Sequence, residues 1–155
     1  MDKKIVSIKH LKRILKARPK SKVVFTNGCF DILHFGHIKY LRDAKSKGDI
    51  LVIGLNSDRS VRRLKGKNRP INPQNDRASV LAALESVDYV VVFGDDTPYR
   101  LIQSLKPDIL AKGGDWPREK IVGGDIVLAS GGKVLNLPYV KNRSTTNIIR
   151  KIIQQ

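Results

Sequence analysis

Apolar and polar positions along this chain follow two alternating periods. In "SIKHLKRILKARPK" the apolar residues Ile8, Leu11, Ile14 and Leu15 share one side of a helix, with lysines and arginines on the other. Ser7 stands where an N-cap belongs, and Pro19 ends the segment. A basic amphipathic helix of this kind can lie on a membrane surface, but docking onto its own domain is the plainer reading. "KVVFTN" then replaces the helical period with a continuous apolar run, the mark of a strand buried on both faces. A helix from Gly36 to Lys47 follows, closed by Gly48, and "DILVIGLN" is a second buried strand. After "NSDRSVRRL", the stretch "KGKNRPINP" is rich in Lys, Arg, Gly, Asn and Pro and predicts an exposed, mobile loop. The next helix runs from Gln74 to Ser86, and "DYVVVF" is the third strand. "DDTPYRLIQSLKP" predicts a helix with Thr97 as N-cap and Pro98 in its first position. "DILAK" is a fourth strand running into "GGDW", and a short helix covers part of Arg118 to Ser130. "GKVLNLP" is a fifth strand, and "STTNIIRKII" is the last helix.

Val-, Ile- and Leu-rich strands alternating with helices imply a parallel sheet covered on both faces. Right-handed crossovers make this a doubly wound α/β domain of five parallel strands. Without a linker, repeat or low-complexity tract, residues 1–155 read as one domain. Ligands of such sheets bind outside the carboxyl ends of the strands. "NGCFD", "NSD", "KGGDW" and the segment before "STT" all fall at those ends, which is the strongest internal argument for a site.

Composition narrows the class. No apolar run is long enough to span a bilayer, and the first twenty residues lack the uninterrupted apolar segment of a secretory signal. With Cys29 as the single cysteine there is no intrachain disulfide, and a reducing cytoplasm is the simpler setting. Thirty Lys and Arg against fourteen Asp and Glu give a formal net charge of +16. That excess favours anionic partners, whether nucleic acid, acidic lipid or phosphorylated small molecules, and serves equally as a solvated surface.

The segment "CFDILHFGH" is the richest in chemistry. Gly28 allows a tight turn and a close backbone approach, and the helix start points positive partial charge at an anion. His34 and His37, three apart with Gly36 between them, can share one side of the helix N-terminus and donate to phosphate oxygens. There they would stabilise charge gathering on a phosphorus in transfer. Two other readings stay open on these residues. Cys29, Asp31, His34 and His37 have the donor types of a zinc site but no common zinc spacing, and the histidines could be core or capping residues. At the far end, Arg143 and the hydroxyls of Ser144, Thr145 and Thr146 open the last helix as a phosphate cradle or, more plainly, as an ordinary N-cap. In "KGGDW", Asp115 is an acceptor and Trp116 a stacking or a packing surface. Lys65, Lys67 and Arg77 supply cations near the same face. No nucleophile is paired with a base, so direct transfer fits better than a covalent intermediate.

"TNGCFDILHFGH", "GLNSDRSVRRLKGKNRPINPQNDRASVLAALESVDYVVVF", "DTPYRLIQSLKPDILAKGGDW" and "STTNII" resemble the cytidylyltransferase-like nucleotidyltransferases. Within them the match is most similar to the stand-alone heptose 1-phosphate adenylyltransferases of bacterial lipopolysaccharide precursor synthesis. The resemblance covers residues 8 to 152. It implies a Rossmann-like fold, Mg²⁺, and transfer of AMP from ATP to D-glycero-β-D-manno-heptose 1-phosphate, giving ADP-heptose and pyrophosphate. His34 and His37 would hold the triphosphate and stabilise the transition state. Thr26, Asn27, Gly28 and the backbone of Phe30 and Asp31 would lie against the nucleotide. Lys112, Gly113, Gly114, Asp115 and Trp116 would flank base and ribose, and Ser144, Thr145 and Thr146 would take the pyrophosphate. Lys65, Lys67 and Arg77 would neutralise phosphates, with Asn56, Lys67 and Arg69 on the sugar phosphate side. Mg²⁺ would be held by phosphate oxygens and water rather than by protein ligands. The family also makes a homodimer plausible.

Two departures stand out: the bulky Phe35 inside His-x-Gly-His, and "VKNR" before "STT". There Arg143 would add a phosphate contact, as an arginine does in glycerol 3-phosphate cytidylyltransferases. Glycerol 3-phosphate and FMN are accordingly the alternative acceptors, with CTP the alternative donor. From a different class, the charge suggests a nucleic-acid-binding protein. Against it, aromatics are 6% of the chain, do not interleave with the basic residues, and no reader motif occurs.

Overall fold

The computed structural model describes residues 3–114, 116–138 and 140–155. Five parallel strands, β1 (Val23–Gly28), β2 (Ile50–Asn56), β3 (Tyr89–Phe93), β4 (Ile109–Gly113) and β5 (Lys133–Leu137), form one sheet in the order β3-β2-β1-β4-β5. The helices are α1 (Ile8–Lys16), α2 (Phe35–Lys45), α3 (Asp58–Lys65), α4 (Gln74–Ala82), α5 (Tyr99–Leu105), α6 (Gly124–Ala129) and α7 (Thr145–Ile153). This is the doubly wound Rossmann-like arrangement that the alternation predicts.

Strand residues divide between two apolar layers by simple alternation. Val24, Leu51, Ile53, Leu55 and Val90 pack with Tyr40, Leu41 and Ala44 of α2 and Ala78, Leu81 and Ala82 of α4. Val23, Phe25, Ile50, Val52 and Val91 pack on the other face with Leu11 of α1, Leu101 and Ile102 of α5 and Val127 of α6. The Phe25 ring fills the space over Gly54, where a β-carbon would sit 2.7 Å from its Cζ. The basic helix α1 is therefore docked, with Leu11 fully buried, and Ser7 caps it by accepting from the His10 amide. Among the described residues no helix is long and apolar enough to cross a membrane.

The lower end of the sheet is closed by three aspartates that precede strands. Asp49 accepts from the amide of Lys22, Asp108 from that of Val23, and Asp88 from that of Leu51, each at 2.7 Å. Each carboxylate satisfies an amide at or beside the start of a neighbouring strand.

Three sequence expectations need correction, and one further stretch is helical. "NSDRSVRRL" carries no clear period, yet forms α3, because Ser57 caps it and Ser60 and Val61 alone are buried in a mostly charged helix. The helix predicted to reach Ser86 stops at Ala82, where tighter turns from Leu84 to Leu81 and from Val87 to Leu84 deliver Asp88 to β3. Thr97 is not an N-cap: α5 begins at Tyr99 after Pro98, with no side-chain cap. The loop "KGKNRPINP" is exposed at Gly66 to Asn68, but its second half is tied down at Ile71 and Asn72.

One feature of the register positions the site. β1 pairs with β2 over its whole length, but with β4 only at Val24–Ile109 and Phe25–Leu110. Beyond Phe25 the two central strands part, at the point where strand order reverses. The Tyr40 hydroxyl fills the gap. It donates to the Ala111 carbonyl at 3.1 Å and lies 2.6 Å from the Thr26 hydroxyl, which therefore donates to it. Burial pushes this phenol up to about 12 against the Thr26 hydrogen bond, so it stays a donor at any ordinary pH. Tyr40→Phe should cost about 1–2 kcal/mol, because the Thr26 hydroxyl and the Ala111 carbonyl both lose a buried partner. Urea unfolding of the two proteins, giving equal slopes and a lower midpoint for the variant, would check this.

Candidate active site

Above the gap lies a cavity of about 550 Å³, lined from the ends of β1, β2 and β4 and the starts of several helices. It adjoins a hollow of about 280 Å³ that shares Asn27 to Phe30, His37 and Lys112 and adds His34, Gly36, Tyr40, Gly113 and Arg143. The turn that opens it is not made at Gly28, as its composition suggests. Gly28 is still extended and paired with Leu55, and its missing side chain makes room for the Phe30 ring, 2.9 Å from where a β-carbon would be. Phe30 itself carries the left-handed backbone, with φ of 44°.

His34 and His37 meet as the three-residue spacing predicts. Their rings stack at a centroid distance of 3.8 Å and an angle of 22°, and Phe30 lies against His37 at 5.3 Å. Gly36 is what lets them do so. A β-carbon there would sit 3.0 Å from the His34 ring and 3.2 Å from Cβ of Arg143. Neither Nδ1 has a hydrogen-bond partner among the described residues, although both are buried. Burial and then His34 hold His37 down to about 4, and burial and then Arg143 lower His34. At neutral pH the pair is uncharged, and each ring offers one N–H.

Around them the wall is cationic. Lys65, Arg69, Lys112 and Lys120 line the cavity, and burial, with Lys65 nearby, lowers the Lys112 ammonium. Burial pushes the Cys29 thiol up against the pull of Lys65, Arg77 and Arg69, so the thiol is a protonated wall residue. Thr145 and Thr146 reach the cavity from the first turn of α7, whose leading amides have no acceptor inside the helix. Thr145 also donates to the Ile32 carbonyl at 3.2 Å, joining this helix start to the histidine loop.

Most predicted site residues are brought together here: Asn27, Gly28, Phe30, Asp31, His37, Asn56, Lys65, Arg69, Lys112, Trp116, Thr145 and Thr146 in the cavity, His34, Gly113 and Arg143 in the hollow. Asp115 lies outside the described residues. Others have different work. Thr26 is fully buried against Tyr40 and does not face the cavity. Gly114 is buried, with φ of 94° and its amide on the Leu137 carbonyl. Ser144 uses its hydroxyl to cap α7 through the Asn147 amide. Lys67 stays on the exposed loop tip and lines neither space.

Arg77 is the largest correction. Its side chain is 0% exposed, and it donates to the carbonyls of Asn72 and Cys29 and to the Asp58 carboxylate, so it meets no substrate phosphate. Asp31 has a similar task. Burial alone would raise its pKa, but the amides of Asn72 and Ile71 and the Arg69 guanidinium hold the carboxyl below its ordinary value. Together the two residues pin Cys29 to Asp31, in the histidine loop, against 69–72. Sequence reasoning missed Leu64, Asp96, Thr97, Lys120 and Val122 as lining residues. For Asp96 and Thr97 the signal was present, since both directly follow the carboxyl end of a parallel strand.

Among the described residues no three His, Cys, Asp or Glu side chains come together to hold a metal. Asp31, the carboxylate nearest the histidines in sequence, has both oxygens occupied. A hard divalent ion carried in on a polyphosphate fits such a wall, since it keeps its phosphate and water ligands.

A parallel sheet with this strand order, and neutral stacked imidazoles among lysines at its switch point, defines a nucleotidyltransferase of the Rossmann-like type. Residues 25–151 match the profile of the cytidylyltransferase-like family, and the chain belongs to that family. It is 57% identical to the bifunctional protein HldE of Geobacter metallireducens over 156 residues, 99% of this chain and 32% of that one. With the bifunctional protein HldE of Campylobacter fetus it shares 58% over 151 residues, 97% of this chain and again 32% of the relative. The chain thus spans about a third of the length of these relatives. The crystal structure of the lipopolysaccharide core biosynthesis protein from Thermoplasma volcanium superposes with a TM-score of 0.64 at 30% identity, covering 79% of this chain and 99% of that one.

Two measurements test the site as described. The unfolded chain takes up a proton near pH 6.5 that His37 refuses until about pH 4. Stability should therefore be complete above pH 6.5 and fall by on the order of 3 kcal/mol as pH drops to 4. His37→Gln should flatten that part of a stability-against-pH curve. Separately, Arg77→Ala should lower stability by about 3–5 kcal/mol, since it strips a buried ion pair of its cation, and Tm should show it without any ligand.

Proposed function

We propose that the chain transfers AMP from ATP to D-glycero-β-D-manno-heptose 1-phosphate, releasing pyrophosphate and forming ADP-heptose. The observation that carries this reading is the stacked His34–His37 pair over the parted strands, in a chain more than half identical to HldE proteins. Its likeness to a lipopolysaccharide core biosynthesis protein supports a part in making a precursor of that core.

The residues divide the work by charge type. The nucleotide occupies the β4 side, with base and ribose near Lys112, Gly113 and Trp116. The triphosphate runs past His37 to Thr145 and Thr146, where the free amides of α7 take the leaving pyrophosphate. His34 and His37 donate to the α-phosphate oxygens, where negative charge grows as the acceptor oxygen attacks in line. Lys65 and Lys112 turn their amino groups to that charge, and Arg69, steadied by Asp31, faces the acceptor phosphate. Mg²⁺, held by phosphate oxygens and water, would supply further neutralisation of the leaving group. A reducing cytoplasm, where ATP is available, suits the single free Cys29.

The test is pyrophosphate release in Mg²⁺, crossing ATP, CTP and GTP with heptose 1-phosphate, glycerol 3-phosphate and FMN. Turnover confined to ATP with the heptose is expected; another productive pair would replace the sugar or base and keep the mechanism. With that pair, His34→Ala and His37→Ala should each lower kcat by ~100-fold or more while the fold persists. Undiminished turnover in both variants would sink the assignment of the histidines.

A further inference from the structure

Beyond the histidines the cavity continues to the β2 and β3 side, where Asn56, Lys65, Asp96, Thr97 and Pro98 line it. A carboxylate there is out of keeping with a wall built for phosphate. Of the cavity's carboxylates among the described residues, Asp31 has both oxygens bonded to amides and Arg69. Among the described residues, Asp96 bonds Arg63 Nε through Oδ1 only, and its Oδ2 carries no hydrogen bond. Thr97 follows it, with a hydroxyl that caps nothing and has no partner among them. Asn56 donates its Nδ2 to Ser60 Oγ at 2.9 Å, and its carbonyl oxygen accepts from none of them.

The turn that carries Asp96 and Thr97 is fixed to α3 and the end of β2. Arg63 Nη2 donates to the Gly94 carbonyl at 2.6 Å, Ser60 Oγ to the Asp95 carbonyl at 2.9 Å, and the Ser57 amide to the Phe93 carbonyl at 2.8 Å. Three acceptors, one of them charged, are thus presented from fixed backbone. A phosphate has no proton to give them at neutral pH and is repelled by the carboxylate. A polyol gives hydroxyl protons to all three.

Resting on the proposed function, we infer that Asp96 and Thr97 read the hydroxyl groups of the acceptor sugar and so set which phosphorylated sugar is used. The experiment is steady-state kinetics of Asp96→Ala with the productive acceptor and with its monodeoxy analogues. The acceptor KM should rise about 10-fold or more, as for loss of a charged hydrogen bond, while the ATP KM moves by no more than about twofold. One monodeoxy analogue should abolish the difference between wild type and variant, because it lacks the hydroxyl that Asp96 accepts from.

An equal rise in the ATP KM, or a difference that persists in every analogue, overturns the inference. So does Arg63→Met matching the whole acceptor effect, since the carboxylate would then act only through the turn. Failure of the heptose reading shows separately, as wild-type enzyme inactive on heptose 1-phosphate. The comparison then uses whichever sugar or polyol phosphate is turned over. Where none is, calorimetry compares ADP-mannose with ADP, and an equal affinity ratio in wild type and Asp96→Ala overturns it.

Discussion

The parting of β1 and β4 is the constraint on which the rest of the site depends. Two parallel strands in register would fill the switch point with ladder hydrogen bonds and leave no crevice. Here the ladder ends at Phe25 and Leu110, and the Tyr40 hydroxyl takes over from backbone pairing one step further on. A phenol suits this position because it reaches from α2 into the sheet, satisfies a carbonyl and a hydroxyl together, and cannot ionise once buried. The same helix carries His37 one turn earlier, so the residue that braces the crevice also fixes the height of the imidazole above it.

A second set of buried polar contacts determines the shape of the wall. Asp31 and Arg77 are opposite charges, both near zero exposure, and each is tied to backbone groups as well as to a partner. Burying either charge is unfavourable unless its hydrogen bonds are filled. Their bonds run to the 69–72 segment, to Cys29 and to Asp58, so filling them fixes the histidine loop relative to α3 and α4. Lys65 and Arg69, two of the cations that face the cavity, stand on segments positioned in this way.

Strand positions, sheet type and the convergence of strand ends were legible because buried parallel strands announce themselves as apolar runs and because topology places ligands at their carboxyl ends. That His34 and His37 share one side of the helix start was legible from their spacing, whereas their ring stacking was not. What sequence could not decide was which charged residue turns inward. Arg77 and Lys65 are both cations flanking the same motif, and only three-dimensional burial separates a structural guanidinium from an ammonium in the cavity. Thr97 before Pro98 has the form of a cap, yet the helix starts later. The hydroxyl freed from capping sits on the cavity wall. The charge of α3 likewise hid its helical period, although Ser57 caps it in the ordinary way.

The electrostatics of the cavity follow from the same separation. Lysines and Arg69 line it, and burial disfavours a protonated imidazole there, with Arg143 adding to this at His34. Burial under Phe30 and the neighbouring His34 keep His37 neutral, so the pair offers two donors without two more charges to desolvate. A polyphosphate reverses the balance: its charge favours the imidazolium form just where oxygen charge rises during transfer. The buried, stacked histidines, poor bases by themselves, therefore bind a proton more readily as the anion arrives.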